Sequence, residues 1–222
     1  MLMRIFVLFV VCFIFCILPG CEKKSPGTTA FEEPDTSYNG GAVVRKPNIY
    51  IYPDKKIELH VALNFSNGGS IINSEPEYRD GWNIHVDKNG LINGKYKYLF
   101  YECRVPDLFQ YQFGWFIPKD SLTHFFKKNL EKSGFVKNEI QDFLDYWIPR
   151  LISYPYYFIY PQFSLYLNTI VELNFSKQPD NVLRLFYVIK GTDKREASIQ
   201  APIIPRFYRK GFVAVEWGVV WK

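Results

Sequence analysis

From Ile57 onward apolar and polar residues take turns: Ile57, Leu59, Val61, Leu63 and Phe65 alternate with Glu58, His60, Ala62 and Asn64. A period of two sends every second side chain to one face, so this run predicts a half-buried strand. Trp82, Ile84 and Val86 alternate with Asn83, His85 and Asp87 in the same way. Asn67-Gly68-Gly69, Asp87-Lys88-Asn89-Gly90 and Asn93-Gly94 supply residues that tolerate positive φ, which predicts a meander ending in a strand over Tyr96–Glu102. Ahead of these, Lys46-Pro47-Asn48-Ile49-Tyr50-Ile51-Tyr52-Pro53 is a β-rich run bracketed by prolines, the pattern of an edge or first strand.

The period then lengthens. Leu122, Phe125, Phe126 and Leu130 have helical spacing, with Asp120 or Ser121 as N-cap and Gly134 as the stop. A second helix carries the stripe Ile140, Phe143, Leu144, Trp147, Ile148 and Leu151; Asn138 is its expected cap, Gln141 the expected capping-box partner, and Pro149 ends it near Ile148. Strand patterns return over Tyr156–Tyr160, Leu165–Phe175, Val182–Lys190, Ser198–Ile203 and Gly211–Trp221. Strands on both sides of two amphipathic helices predict an α+β fold. Its mostly antiparallel, β-sandwich-like core has about eight to ten strands, with a two-helix hairpin packed on one side.

The N-terminal region does not follow this pattern. Arg4 precedes an apolar run from Ile5 to Leu18, and Leu18-Pro19-Gly20-Cys21 then gives way to polar Glu22-Lys23-Lys24-Ser25. That is the anatomy of a secretory signal peptide. The apolar run falls short of the ~20 residues that a membrane-spanning helix needs, which disfavours an uncleaved anchor. A branched apolar residue three places before a cysteine, with a small residue just before it, resembles the lipobox of bacterial lipoproteins. The resemblance implies a diacylglycerol thioether and an N-acyl chain, palmitate or its like, on Cys21. Two or three acyl chains exceed what stable membrane anchoring requires. The expected organisation is a signal peptide over residues 1–20, a Ser-, Pro- and Gly-rich tether over 21–45 and one globular β-rich domain over 46–222. About 24 flexible residues would span ~27 Å, enough to hold the domain just clear of the headgroups.

Composition narrows the chemistry. The net charge of +5 is spread without a dense basic run, so nucleic acid is not an expected partner. Of the four cysteines, Cys12 and Cys16 leave with the signal and Cys21 carries lipid. Cys103 then has no disulfide partner and is expected to be a small buried hydrophobe. His60, His85 and His124 stand alone, without metal-ligand spacing, and no P-loop, dinucleotide glycine pattern or nucleophile elbow is present; no metal and no cofactor are expected.

Several stretches together look like one family. Lys46–Pro53, Glu75-Pro76-Glu77-Tyr78 with Asp80-Gly81-Trp82, Tyr98–Glu102, Asp142-Phe143 with Tyr146-Trp147, and Gly211–Gly218 resemble, in order and spacing, a family of secreted or envelope bacterial proteins. Its hallmarks read K-P-x-I-Y-x-Y-P and V-E-W-G-G. The resemblance implies one continuous domain and an extracytoplasmic address, and brings no activity with it.

Two functional readings follow. Glu102 and Glu216 each lie in an aromatic strand, and paired carboxylates about 5 to 9.5 Å apart are the machinery of glycoside cleavage. The alternative is a binding module, which the 18% aromatic content favours. Rigid rings with polar edges suit a glycan, a peptide or an envelope protein partner. Trp82, Trp115, Tyr157 and Trp217 are the candidate ligand contacts, and Tyr154–Pro161 alternates so that one set of rings fills the core while the other faces out. With no nucleophile, metal set or phosphate loop to name, the expectation is a lipid-anchored envelope protein that binds, with a carboxylate-dependent glycosidase as the alternative.

Overall fold

The computed structural model describes residues 41–196 and 199–222. In chain order the strands are β1 (Gly41–Tyr52), β2 (Ile57–Asn64), β3 (Ser70–Glu75), β4 (Trp82–Val86), β5 (Leu99–Pro106) and β6 (Trp115–Pro118). The helices α1 (Leu122–Ser133) and α2 (Lys137–Trp147) follow. Then come β7 (Tyr156–Phe163), α3 (Ser164–Ile170), β8 (Glu172–Phe175), β9 (Asn181–Thr192) and β10 (Val213–Trp221). They form a seven-stranded sheet of order β3-β5-β1-β10-β9-β7-β6 and a three-stranded sheet of order β4-β2-β8. Among the described residues only β9 and β10 pair in parallel.

Strand β10 explains the layering, because all of its residues are buried. Val213, Val215, Trp217, Val219 and Trp221 pack with Leu122, Phe126, Leu130, Ile140, Phe143 and Trp147 of the helices. Ala214 and Val220, on the opposite face, pack with Leu59, Val61, Trp82, Ile84 and Val86 of the smaller sheet and with Leu167 and Ile170 of α3. Burial of each large apolar side chain in these two layers stabilises the fold by roughly 1.5–3 kcal/mol. The chain is thus α+β, with a sandwich-like β core and a helical hairpin on one side. Helix α1 stops where foreseen, at Gly134 with φ 105°, whose N–H reaches Glu131 O and Leu130 O. Helix α2 ends at Trp147, with Ile148 as its C-cap.

Four local expectations are corrected. The α2 cap lies upstream of Asn138: Val136 is the N-cap, and the carboxylate of Glu139, not Gln141, accepts the Val136 N–H at 2.8 Å. Leu165–Phe175 is not one strand but α3 followed by β8. Leu165 is 79% exposed while Leu167 and Ile170 are buried, so the inward face has a spacing of three. Residues 199–203 belong to no strand, and Ser198 lies outside the described residues. Finally, β1 is the first described strand, one of the two alternatives expected, but it begins at Gly41, with Ala42, Val43 and Val44 buried, inside the stretch assigned to the tether, and it lies between β5 and β10 rather than at an edge.

Cys103 fits its expected role. It is buried, and burial first, then the Glu216 carboxylate, pushes its thiol well above the ordinary range. In a chain whose other cysteines are serine, a thiol-specific reagent should leave the native protein unmodified and label it stoichiometrically once it is unfolded. Labelling of the native chain at the rate of a free thiol would contradict this packing.

Candidate functional site

Helix-to-sheet contacts are normally apolar, and the contact between β1 and α2 departs from that rule. β1 has a bulge between Arg45 and Asn48, where its registers with both β5 and β10 shift. Pro47, which has no N–H to give a ladder, occupies this bulge, and Lys46 beside it has φ 54°. A non-glycine residue held there stores backbone strain, a recurrent feature of functional sites. Beyond the bulge Asn48, Tyr50 and Tyr52 share the face turned toward the helices. α2 meets them with Glu139, Asp142 and Tyr146, which its spacing of three and four places along one edge, and Arg150 continues that line.

The partners meet in register. Tyr50 donates its hydroxyl proton to Asp142 Oδ2 at 2.9 Å. Glu139, 0% exposed, takes a fork from Arg209, with Nη2 to Oε1 at 2.6 Å and Nη1 to Oε2 at 3.1 Å. Burial raises the Glu139 carboxyl, while the Val136 N–H, Arg209 and the neighbouring Tyr52 hydroxyl work against that rise. Arg209 also lies 5.2 Å from the centre of the Tyr52 ring.

At the other end of the row is Lys46. Its Nζ lies 4.2 Å from the centre of the Phe100 ring, 5.1 Å from Tyr98 and 5.5 Å from Tyr146. Arg150 Cζ lies 3.7 Å from the same Tyr146 ring, and its Nη1 donates to Tyr146 O at 2.6 Å. Glu102 Oε1 accepts the backbone N–H of Lys46 at 3.4 Å. Among the described residues no ion pair includes the Lys46 ammonium. Burial holds its pKa below the ordinary amine range, against the opposing pull of Glu102, Glu75 and Asp142.

Unpaired polar atoms gather beside it. Asn48 is 0% exposed, and neither Oδ1 nor Nδ2 has a hydrogen-bond partner. The Tyr50 and Tyr98 hydroxyls lie near this amide without completing a bond. Arg150 Nε is likewise buried and unpartnered. Lys46, Tyr98, Phe100, Glu102, Tyr146 and Arg150 are all half-buried. An unpaired buried amide costs on the order of 1–3 kcal/mol. Asn48→Leu, which keeps the branched shape and removes both polar atoms, should therefore raise stability by about 1 kcal/mol in chemical denaturation. A drop of that size would mark Asn48 as structural.

Of the sequence candidates, Glu102 borders this niche and the other described ones fall elsewhere. Glu216 bonds Tyr101 on the face toward the smaller sheet, whereas Glu102, the next residue after Tyr101, points to the helix face. The two carboxylates thus lie on opposite sides of the seven-stranded sheet and share no cleft. Trp82, Tyr157 and Trp217 are 2%, 0% and 0% exposed, core residues whose rings are covered by packing. Trp115 is half-buried against Phe125, with ring centres 5.2 Å apart. The alternation over Tyr154–Pro161 holds: Tyr157 and Ile159 enter the helix-side core. Tyr156, Phe158 and Tyr160 take the other face, where they join Phe116 and Tyr111 in a row of rings. A groove of about 390 Å³ near this row is lined by Gln110, Phe113, Phe163, Tyr166 and Ile203 among others. Its Gln110 side chain is fully bonded to backbone. Among the described residues no cluster of histidine, cysteine and carboxylate side chains is arranged to hold a metal ion. Cys21 lies outside the described residues.

Sequence reasoning did not assign a site role to Lys46, Asn48, Asp142, Tyr146 or Arg150. One signal was present: the stretches singled out in the sequence, Lys46–Pro53, Tyr98–Glu102 and Asp142-Phe143 with Tyr146-Trp147, supply Lys46, Asn48, Tyr98, Glu102, Asp142 and Tyr146, and these meet here. Compared with known proteins, the chain matches no family model, no curated protein and no solved structure.

Proposed function

We propose that this chain is a lipid-anchored protein of the bacterial envelope that acts as a binding module, with a glycan, a peptide or a partner protein as its ligand. The observation that carries the reading is the half-buried niche between β1 and α2. There Lys46 Nζ, the Asn48 amide and Arg150 Nε stand together without the oxygen partners their chemistry calls for. Unspent buried polar groups beside aromatic rings are a feature of ligand sites, because folding alone gains nothing from them. The glycosidase alternative loses its machinery, since its two carboxylates face opposite ways.

The anchor rests on the apolar run before Leu18 and on the resemblance of Leu18-Pro19-Gly20-Cys21 to a lipobox. Metabolic labelling with a fatty-acid analogue should mark the wild-type chain and leave Cys21→Ala unmarked; equal labelling of both, or a mature N-terminus elsewhere, removes the anchor from the proposal. The binding reading is tested by screening the protein against envelope glycans and peptides beside a hydrolysis assay on the same compounds. Saturable binding without turnover is the expected result. Turnover abolished by both Glu102→Gln and Glu216→Gln, in variants that still show the wild-type fold, would overturn it.

A further inference from the structure

We infer that the face on which the loop 107–114, helix α3 and the segment 199–212 meet lies against a lipid bilayer with anionic headgroups. This goes beyond the ligand niche and takes from the reading above only the anchor at Cys21.

Three segments far apart in sequence wall one groove of about 390 Å³. Gln110 and Phe113 come from the loop 107–114, Phe163 and Tyr166 from the end of β7 and the start of α3, and Gln200 and Ile203 from the segment 199–212. Hydrogen bonds hold them in place. Gln110 Nε2 donates to Phe113 O at 2.9 Å and to Pro161 O at 2.8 Å, and the Gly114 N–H donates to Gln200 O at 3.0 Å. Further along, Asn181 Nδ2 donates to Lys210 O at 2.8 Å, and Arg209 is forked onto Glu139. Between these two ties Pro202 and Pro205 stiffen the segment. On the scaffold so fixed, Ile203 is 92% exposed, Leu165 79% and Tyr166 42%. Leu108 and Tyr111, on either side of Gln110 in sequence, are exposed as well. Single apolar side chains are ordinary on a protein surface, but several around one groove mark an interaction face.

Charge decides what covers it. Residues 108–114, 161–170 and 199–212 contain no aspartate or glutamate, although the chain has 22, and their only charges are Arg206, Arg209 and Lys210. Arg209 is spent on Glu139, whereas Arg206 and Lys210 are exposed. Aliphatic side chains and tyrosines flanked by cations, with carboxylates excluded, suit the headgroup boundary of an anionic bilayer. A protein partner would also accept the apolar chains, but it gives no reason for the absence of acids. The course of the chain points the same way. Gly41 pairs with Pro106, the residue that leads into the loop 107–114. The covalent path from Cys21 through residues 21–40 therefore reaches the domain at the foot of a loop that walls the groove.

The test puts the photoreactive residue benzoylphenylalanine in place of Ile203 or Leu165 and, as controls elsewhere on the surface, in place of Ile152 or Ile72. All four side chains are exposed, so the fold is not at stake. The full chain is irradiated in vesicles of phosphatidylethanolamine and phosphatidylglycerol and in cell membranes, and its adducts are weighed. Positions 203 and 165 should yield at least three times as much lipid adduct as 152 and 72, with phosphatidylglycerol over-represented. Leu165→Glu with Ile203→Glu should leave the melting temperature unchanged and cut lipid adducts from a probe at position 166 at least threefold. Equal lipid adducts at all four positions overturn the inference, and so do adducts at 203 and 165 to another protein or a second copy of this chain in place of lipid. Either result, in a chain that still takes the fatty-acid label at Cys21, leaves the anchor standing. The expected four-site difference in a chain that takes no such label keeps this inference and removes the anchor.

Discussion

Glu216→Gln is expected to cost about 3–5 kcal/mol of folding stability, a large part of the 5–15 kcal/mol a domain typically has. Glu216 and Arg184 are register partners on the parallel pair β10 and β9, and both are buried, at 0% and 2% exposure. Arg184 Nε donates to Glu216 Oε2 at 2.7 Å, and Tyr101 donates its hydroxyl proton to Oε1 at 2.8 Å. Arg184 Nη1 then reaches Asn168 Oδ1 at 2.8 Å and Val171 O at 2.7 Å. This guanidinium therefore ties the large sheet to α3 and to the segment entering β8. Neutralising Glu216 leaves the guanidinium buried without its counter-charge, which is the expensive outcome. Tyr101→Phe removes one charge-assisted bond and should cost less, about 1.5–3 kcal/mol. Replacing the pair together, with Arg184→Met and Glu216→Leu, should recover most of the loss, because an apolar pair leaves no charge behind. Urea denaturation of the three variants beside wild type is the measurement. A Glu216→Gln protein as stable as wild type would show that the pair does not hold these layers together.

The same residue shows where the sequence stops being informative. Alternation tells which residues of a strand share a face, but not which face is wet. In β10 the ambiguity is complete, because both faces are buried and the strand reads as a nearly continuous apolar run. Trp217 therefore looked like a ligand contact and Glu216 like half of an acid pair, when one is core and the other is a buried tie. The helices were more legible: the spacing of Leu122, Phe126 and Leu130, and of Ile140, Phe143 and Trp147, leaves few other ways to bury those side chains. Helix α3 was hidden because Leu165 and Leu167 alternate as a strand would, and only tertiary packing selects Leu167 with Ile170. The niche was hidden for a different reason. It depends on the bulge at Pro47, which turns Lys46 toward Tyr98, Phe100 and Tyr146, and nothing in a binary pattern announces a register shift.

The site and the core meet at Phe143, and its replacement by alanine should have the other large effect. Phe143 is fully buried at the middle of the helix-to-sheet contact, with ring centres 4.9 Å from Phe126, 5.2 Å from Trp217 and 5.8 Å from Tyr187. Those three rings belong to α1, β10 and β9, so one side chain holds both helices to the sheet. Removing it leaves a cavity that rigid aromatic neighbours cannot close, for a cost of about 3–5 kcal/mol. Asp142 precedes Phe143 on α2, and Tyr146 follows one turn later. A loosened α2 must therefore loosen the bond from Tyr50 to Asp142 and the ring beside Lys46 as well. Phe143→Leu, which refills part of the volume, should return more than half of the stability. Asp142→Asn separates the two effects: it keeps the apolar contact, should lower stability by only about 1 kcal/mol, and disturbs the polar row directly. Hydrogen exchange on α2 provides the decisive readout. Phe143→Ala should speed exchange throughout α1 and α2 while leaving β2 and β4 protected, because the smaller sheet packs on the other face. Exchange that rises equally in both layers would mean that the helical hairpin and the smaller sheet open as one unit, and that the niche cannot loosen without global unfolding.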